Sequence, residues 1–477
     1  MSERSRWWLL VSVLFGLLSS NINFTIFNVA LVQIAGDLHT TQSTLTWAIT
    51  GPLLVVGVAA PLLGKLGDLK GHRNLYLMGL VGSLVCAGLT AGAWNAPSLI
   101  VARLFSGLGA ACLTASSWSL LFRVFGPAER TKVLGWWSLV GAGGPVIGVA
   151  AGGPVVQYFG WRWIFVAQVP LIVVALISNR SRLPDTERAQ DEQLDVAGAL
   201  LLALGIGALL LFLNEGSRGW THPAVLVSVG ASIVSLAVFG VVERRRVSPI
   251  FPLEWLSRRN FTMPCVAGFA VNFAYMGGFF LTPLFLERGL HYSIGSAGLL
   301  QIARPLLFAI SAPAAGYLAI RTGERSAALA GVVLMIASMV VFAVLRPGES
   351  VFVILIALGA SGLASGISMP PISAMVANAV DVRHMGSASA GLQVANQVGV
   401  VAGIQLMETV QASREHLAGV VGSFHDAYVA GALVTVVAVV ATLLMRPLRI
   451  AASASVLGTA TFPGTAAPPG AAAEPAG

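Results

Sequence analysis

The string Gly64-Lys-Leu-Gly-Asp-Leu-Lys-Gly-His-Arg73 combines charge and spacing in a way that points to chemistry at a helix end. Asp68 and Arg73 are suited to charge-assisted contacts with neighbouring helix termini, while Gly64 and Gly71 permit a tight turn around them. A solvated basic loop would account for the positive charge. It would not account for the glycine spacing, which recurs at Gly316-Tyr-Leu-Ala-Ile-Arg-Thr-Gly-Glu-Arg325; both strings read G-x-L-x-x-x-x-G-x-R. Arg103 and Arg304 sit inside apolar runs, where a charge is costly and needs a cavity or a partner unless it snorkels to an interface. Uncharged polar residues do the same: Asn21, Asn23, Thr25 and Asn28 early in the chain, and Gln393, Asn396, Gln397 and Gln405 late in it. Such faces either line a cavity or join helices by hydrogen bonds, and spacing favours neither. The carboxylates avoid the run centres, with Asp195, Glu215, Glu287 and Glu408 near run ends. No run offers a His/Asp/Glu metal set, a Ser–His pair or a nucleotide loop, so no metal, cofactor or enzymatic activity is expected.

The elements that must position these residues are apolar helices. Apolar residues make up 56% of the chain and charged ones 10%, against about 25% charged in soluble domains. With ~20 residues per crossing, 477 residues have room for twelve to fourteen membrane spans joined by short loops. The first apolar run, from Trp7 to Val32, is too long for a cleavable signal and lacks a small-residue cleavage site. Most of the 28 Lys and Arg fall on one side if the N-terminus is inside, so both termini are expected in the cytoplasm. The net charge of +8 is then a topological signal, scattered over many loops, and nucleic acid is not an expected partner. Cys86, Cys112 and Cys265 all lie in apolar runs, lack metal-ligand spacing and read as inert packing residues. The tail 451–477, almost wholly Ala, Gly, Pro, Ser and Thr, reads as disordered.

One run carries the organising pattern. Between Gly135 and Pro170, Gly141, Gly144, Gly148 and Gly152 share a helix face fit for close packing, and Pro145 interrupts the hydrogen-bond ladder. Trp136, Trp137, Trp161 and Trp163 flank the run as an interfacial aromatic belt would. The string Gly144-Pro145-x-x-Gly148, followed by Gly160-Trp-Arg-Trp-Ile-Phe165, resembles the antiporter motif of the major facilitator superfamily, in its fourteen-span drug:proton antiporter group. The Gly64–Arg73 string resembles that superfamily's signature cytoplasmic loop, and Arg103-Leu-Phe-Ser-Gly-Leu-Gly resembles its intramembrane arginine motif. Pro249–Phe261 and Met385-Gly-Ser-Ala-Ser-Ala-Gly391 look like the starts of two later spans of the group. The departures are Val149 for Gly, Gln168 for Asn, Ser106 for Gln and Asn23 for the Asp of the first span.

The resemblance implies an all-α integral membrane protein of the major facilitator fold with fourteen transmembrane helices. Residues 1–180 and 261–450 would form two six-helix bundles, and 181–260 would hold two inserted helices with cytoplasmic linkers. It implies an exporter of small amphipathic drugs or natural products, a monomer in the cytoplasmic membrane, driven by protons through alternating access. By that resemblance Gly64, Asp68, Gly71 and Arg73 latch the inner side, and Gly144, Pro145 and Gly148 seal the interface between halves. Asn23, Thr25, Asn28, Arg103, Arg304, Gln393, Asn396 and Gln397 are the pathway candidates. Since Asn23 cannot titrate, Glu287 and Glu408 become the coupling carboxylates to consider. A proton-independent exporter or flippase of lipids or metabolites is the alternative.

Overall fold

The computed structural model describes residues 3–184, 195–215, 222–245, 249 and 251–446; the side chains at 21–26, 28, 29, 145 and 148–154 are among those outside the description. The expectation for the tail 451–477 also lies outside the described residues.

Helices account for nearly all of the described chain. They are α1 (Glu3–Asp37), α2 (Gln42–Lys70), α3 (His72–Ala91), α4 (Ala96–Phe122), α5 (Arg130–Phe159), α6 (Arg162–Arg182), α7 (Val196–Glu215) and α8 (Pro223–Glu243). After a 3₁₀ turn at Leu253–Ser257 come α9 (Arg259–Leu284), α10 (Ile294–Gln301), α11 (Ala303–Thr322), α12 (Glu324–Val344), α13 (Val351–Asn378) and α14 (Met385–Leu444). Among the described residues, ten helices are long and apolar enough to cross a membrane. Polar residues set the boundaries. Asn95 and Ser98 form a reciprocal capping box at the start of α4, with Ser98 N–H donating to Asn95 Oδ1 at 2.8 Å. Thr41 and Ser350 cap α2 and α13 through their hydroxyls. Gly419, at φ 71° and ψ 176°, divides α14 into two arms.

In the first half, α1 packs on α5 and α6, and α4 on α2 and α3; in the second, α9 packs on α14 and α13 on α11 and α12. The halves meet along two seams, α2 against α14 and α5 against α11 and α13. Helices α7 and α8 pair with each other, and α7 rests on α2 and α14. Most of α8 presents apolar side chains outward, among them Val227, Ile233 and Val234, as a lipid-facing helix does.

The expectation about the tryptophans needs correction. Trp161 is buried and donates its indole N–H to Asp37 at 2.9 Å, and Trp137 donates to Ser117 at 3.0 Å against the ring of Trp118; only Trp163 stands well exposed. An indole N–H removed from water seeks a partner, which Trp161 finds in the exposed Asp37 at the end of α1 and Trp137 in the buried Ser117. On the glycine face of α5, a Cβ at Gly141 would meet nothing within 4 Å. A close approach falls at Gly135, where a Cβ would lie 2.5 Å from the Ala312 carbonyl of α11; the side-chain positions of Gly148 and Gly152 lie outside the description.

Candidate functional site

Asp68 lies in the last turns of α2, buried, and points across the seam at the first turn of α14. Gly386 N–H donates to its Oδ1 at 3.1 Å, and Ser387 N–H and hydroxyl donate to Oδ2 at 3.1 and 2.9 Å. The buried ring of His72 places Nε2 2.8 Å from Oδ1. A carboxylate on the otherwise unbonded N–H groups of a helix start gains both hydrogen bonds and the favourable end of the helix dipole. Gly64 does not turn the chain, since α2 continues to Lys70. A Cβ there would lie 2.5 Å from the Gly386 carbonyl, so the residue is small to let the two backbones touch. Gly71 makes the turn, at φ 97°. Arg73 donates to the Arg180 carbonyl at 2.9 Å, in the last turn of α6, where cations are favourable.

The second repeat makes a related contact on the other seam. Gly323, at φ 88°, joins α11 to α12, and a Cβ on Gly316 would lie 2.8 Å from the backbone of Thr131 and Lys132 in the first turn of α5. Glu324 accepts from Thr131 Oγ1 at 2.7 Å and from Asn378 Nδ2 at 3.3 Å. Arg130 donates to the Ala377 carbonyl at 2.9 Å and to Asn378 Oδ1 at 2.8 Å. These hydrogen bonds gather at one end of the molecule, the end bearing the α2–α3 and α11–α12 turns.

Beyond that end a cavity of about 270 Å³ lies between the halves, lined from α4, α5, α9, α11, α13 and α14. Trp118, Trp137, Tyr275 and Phe308 give it aromatic walls, with the Tyr275 and Phe308 rings edge-to-face at 5.5 Å. Asn272, Gln393, Asn396 and Gln397 give it amides, and Ser138, Ser365, Ser373 and Ser389 add small hydroxyls. None of the described lining residues is charged. Such a wall can stack against a flat ring system and exchange hydrogen bonds with it, with no ion pair. The α14 amides had been legible in the sequence; the aromatic residues, Asn272 and the serines had not, because nothing in an all-apolar helix pattern marks its inward face.

Arg103 and Arg304 are not among the lining residues. Arg103 is buried in the first half, donates through Nε to the Ala48 carbonyl at 3.0 Å and lies over the Phe27 ring at 5.0 Å. Arg304 is buried behind the cavity wall, donates to Thr282 Oγ1 at 3.3 Å and lies over the Phe342 ring at 5.6 Å; Thr282 in turn pairs with the Tyr428 hydroxyl at 2.8 Å. Ring faces, a carbonyl and a hydroxyl are among the contacts these guanidinium groups make here. Neither lines the described cavity, and each contacts residues of its own half. Glu287 lies in a π-helical turn, Phe285–Gly289, beyond α9, and does not line the cavity either. Glu408 is exposed and shares a helical face with Gln397, roughly 16 Å further along α14 at 1.5 Å per residue. Gly144 is buried in α5. Asn23, Thr25 and Asn28 in α1, and Pro145 and Gly148 in α5, have side chains outside the described ones. Gln168, at the family's Asn position, ties α6 to α1 by donating to the Ser19 carbonyl at 2.5 Å.

Comparisons with known proteins converge on one family. The Major Facilitator Superfamily profile matches residues 13–404 and, separately, 265–468. The methylenomycin A resistance protein of Bacillus subtilis (strain 168) is 28% identical over 407 residues, covering 83% of this chain and 86% of that protein. The riboflavin transporter RibZ of Clostridioides difficile (strain 630) is 29% identical over 384 residues, covering 79% and 82%. Among solved structures, the human organic anion transporter MFSD10 (TETRAN) superposes with a TM-score of 0.67 at 16% identity, over 94% of this chain and all of that one, a likeness of fold.

Proposed function

The chain belongs to the Major Facilitator Superfamily, and from that premise we propose that it is a secondary-active exporter of amphipathic drugs or natural products across the cytoplasmic membrane. The observation that carries the reading is the uncharged aromatic and amide cavity at the seam, shut at one end by Asp68 on the start of α14. Drug-resistance proteins among the relatives support efflux as the direction of transport. The shut end is taken as cytoplasmic on the charge distribution of the loops, which makes this an outward-facing arrangement and the two turns its inner latches. Alternating access then consists of releasing those latches while the halves rock about the cavity. Fourteen crossings follow if α1, α5 and α7 each span, α10 and α11 form one broken span, and the two arms of α14 are separate spans. Residues 1–180 and 261–450 are the two moving bundles in this reading, with 181–260 inserted between them.

Proton coupling belongs to the same proposal, with Glu408 the first carboxylate to test. It is exposed and shares a helical face of α14 with the cavity residue Gln397, from which protonation could follow the open side. A second reading, proton-independent export of a neutral metabolite, is favoured by the absence of charge among the described lining residues and by the riboflavin transporter among the relatives. The preferred substrates on either reading are neutral or anionic aromatic molecules, because no carboxylate in the described lining is available to hold a buried cation.

Transport in everted vesicles separates these readings. A neutral or acidic aromatic antibiotic should accumulate and ethidium should not, and a protonophore should abolish accumulation. Accumulation that survives the protonophore assigns the proton-independent mode, and ethidium transport without the acid overturns the substrate class. Orientation is read independently: a cysteine at Thr41 should react with an impermeant thiol reagent on intact cells, and one at Lys70 should not.

A further inference from the structure

A second pocket, of about 420 Å³, lies away from the central cavity, where α7 meets α2, α9 and α14. Its lining is apolar almost throughout: Leu202 and Ile206 from α7, Pro61 from α2, Cys265 and Phe269 from α9, and Ala395 and Val398 from α14. From Thr262 to Phe269 on α9, and from Gly391 to Val398 on α14, it runs about two helical turns, roughly 10 Å. Its entrance includes Leu256, which is 54% exposed. Water has almost nothing to bond to in such a space, so an aqueous filling is unfavourable. Around membrane-spanning helices the competing solvent is hydrocarbon.

The rim carries the second observation. Arg258 and Arg259 are exposed and sit between the lining residues Leu256 and Thr262. Arg446 is exposed beside them, its backbone N–H bonded to Asn260 Oδ1 at 2.9 Å. Arg383 is exposed next to His384, whose ring lies 6.2 Å from that of Trp255. Exposed acids on the same rim are Glu254 and Asp381, the latter bonded to the Arg383 N–H at 3.0 Å; the cations outnumber them. Beneath the rim, Phe251, Trp255 and Phe261 pack ring on ring at 5.3–5.8 Å, at the level where aromatic side chains mark a membrane interface.

We propose that this is a binding site for an anionic phospholipid, one acyl chain filling the slot between the α7–α8 pair and the body of the protein, and the phosphate resting on Arg258 and Arg259. Basic rims over clefts between transmembrane helices recognise anionic headgroups by charge, and the slot selects for a chain rather than a soluble anion. The site assigns a role to the α7–α8 pair, which joins the rest through α2 and α14: lipid, in place of side chains, completes its packing. Of the functional reading, the proposal needs only that the chain spans a membrane; it is independent of the direction or driving force of transport.

Purified full-length protein, native mass spectrometry, and added phosphatidylglycerol or phosphatidylcholine of equal chain length provide the test. Wild type should retain one phosphatidylglycerol at least fivefold more than phosphatidylcholine. R258Q/R259Q should lose that preference, and R258K/R259K should keep most of it. Ala395→Phe, which fills the slot, should lose retention of both lipids. Should that variant fold poorly, Cys265 supplies a second readout in a C86S/C112S background. Its labelling by a membrane-soluble maleimide should slow at least threefold with phosphatidylglycerol and not with sn-glycerol 3-phosphate. Equal retention by wild type and R258Q/R259Q, or unchanged Cys265 labelling under bound lipid, would overturn the site.

Discussion

The α2–α3 and α11–α12 turns come from the same repeated string, yet they grip the opposite half by different chemistry. Each begins with a glycine pressed on a helix start of the other half, Gly64 on Gly386 and Gly316 on Thr131 and Lys132, and each turns at a glycine of positive φ. In the first, the acid precedes the turn and binds the backbone of α14. In the second, the acid follows the turn as Glu324 and binds a hydroxyl and an amide, while Ile320 occupies the register of Asp68 and is 55% exposed. The first contact converges two main-chain N–H groups and a hydroxyl on one carboxylate, so it depends on a single acceptor. A contact among side chains has several interchangeable members. The duplicated turn thus preserves the close approach and lets the electrostatics drift.

That contrast orders the expected effects. Asp68→Asn should be the most damaging: an amide cannot accept from three donors as a carboxylate does, and hydrogen bonds to charge are worth ~1.5–3 kcal/mol, roughly a tenfold to hundredfold loss of transport at unchanged membrane abundance. Transport near the wild-type rate by a well-expressed Asp68→Asn protein would erase the distinction between the turns. Gly386→Val comes next, since a Cβ there would lie within 2.4 Å of the Gly64 carbonyl and wedge the seam open. Cysteine cross-linking across α2 and α14 should fall several-fold, and unchanged yield would show that the backbones do not meet when the latch closes. Glu324→Gln should cost about twofold to tenfold, in line with ~0.5–1.5 kcal/mol for a neutral hydrogen bond retained in part. A loss equal to that of Asp68→Asn would mean the second turn is also charge-driven. Ile320→Ser, which alters the same register on an outward surface, should leave vesicle transport within about twofold of wild type, the ordinary range for exposed substitutions.

Much of this arrangement was readable before the fold was. The repeated glycines, Asp68, and the amides of α14 announced themselves because each breaks an apolar pattern. Two of the donors to Asp68 did not, because they are main-chain N–H groups, which every residue carries and no letter records. Glu324 stood inside the repeated string and could have been singled out as its only acid. The roles of Trp137 and Trp161 were misread because indole placement at a run's end looks the same whether the ring faces lipid or the interior. Arg103 and Arg304 were conspicuous for their charge, but a string of letters does not show the ring faces they lie against.

The first arm of α14 has a thermodynamic consequence. One uninterrupted helix holds Gly386 and Ser387 at the latch and Gln393, Asn396 and Gln397 at the cavity, about 13 Å from Ser387 to Asn396 along its axis. Any substrate that shifts this rod by contact with the amides shifts the latch by the same stroke, and equilibrium linkage makes the relation reciprocal. The factor by which a bound substrate loosens Asp68 from α14 is the factor by which a loosened Asp68 tightens that substrate. Under the proposed alternating access, affinity and closure become one adjustable quantity, read at two ends of a single helix.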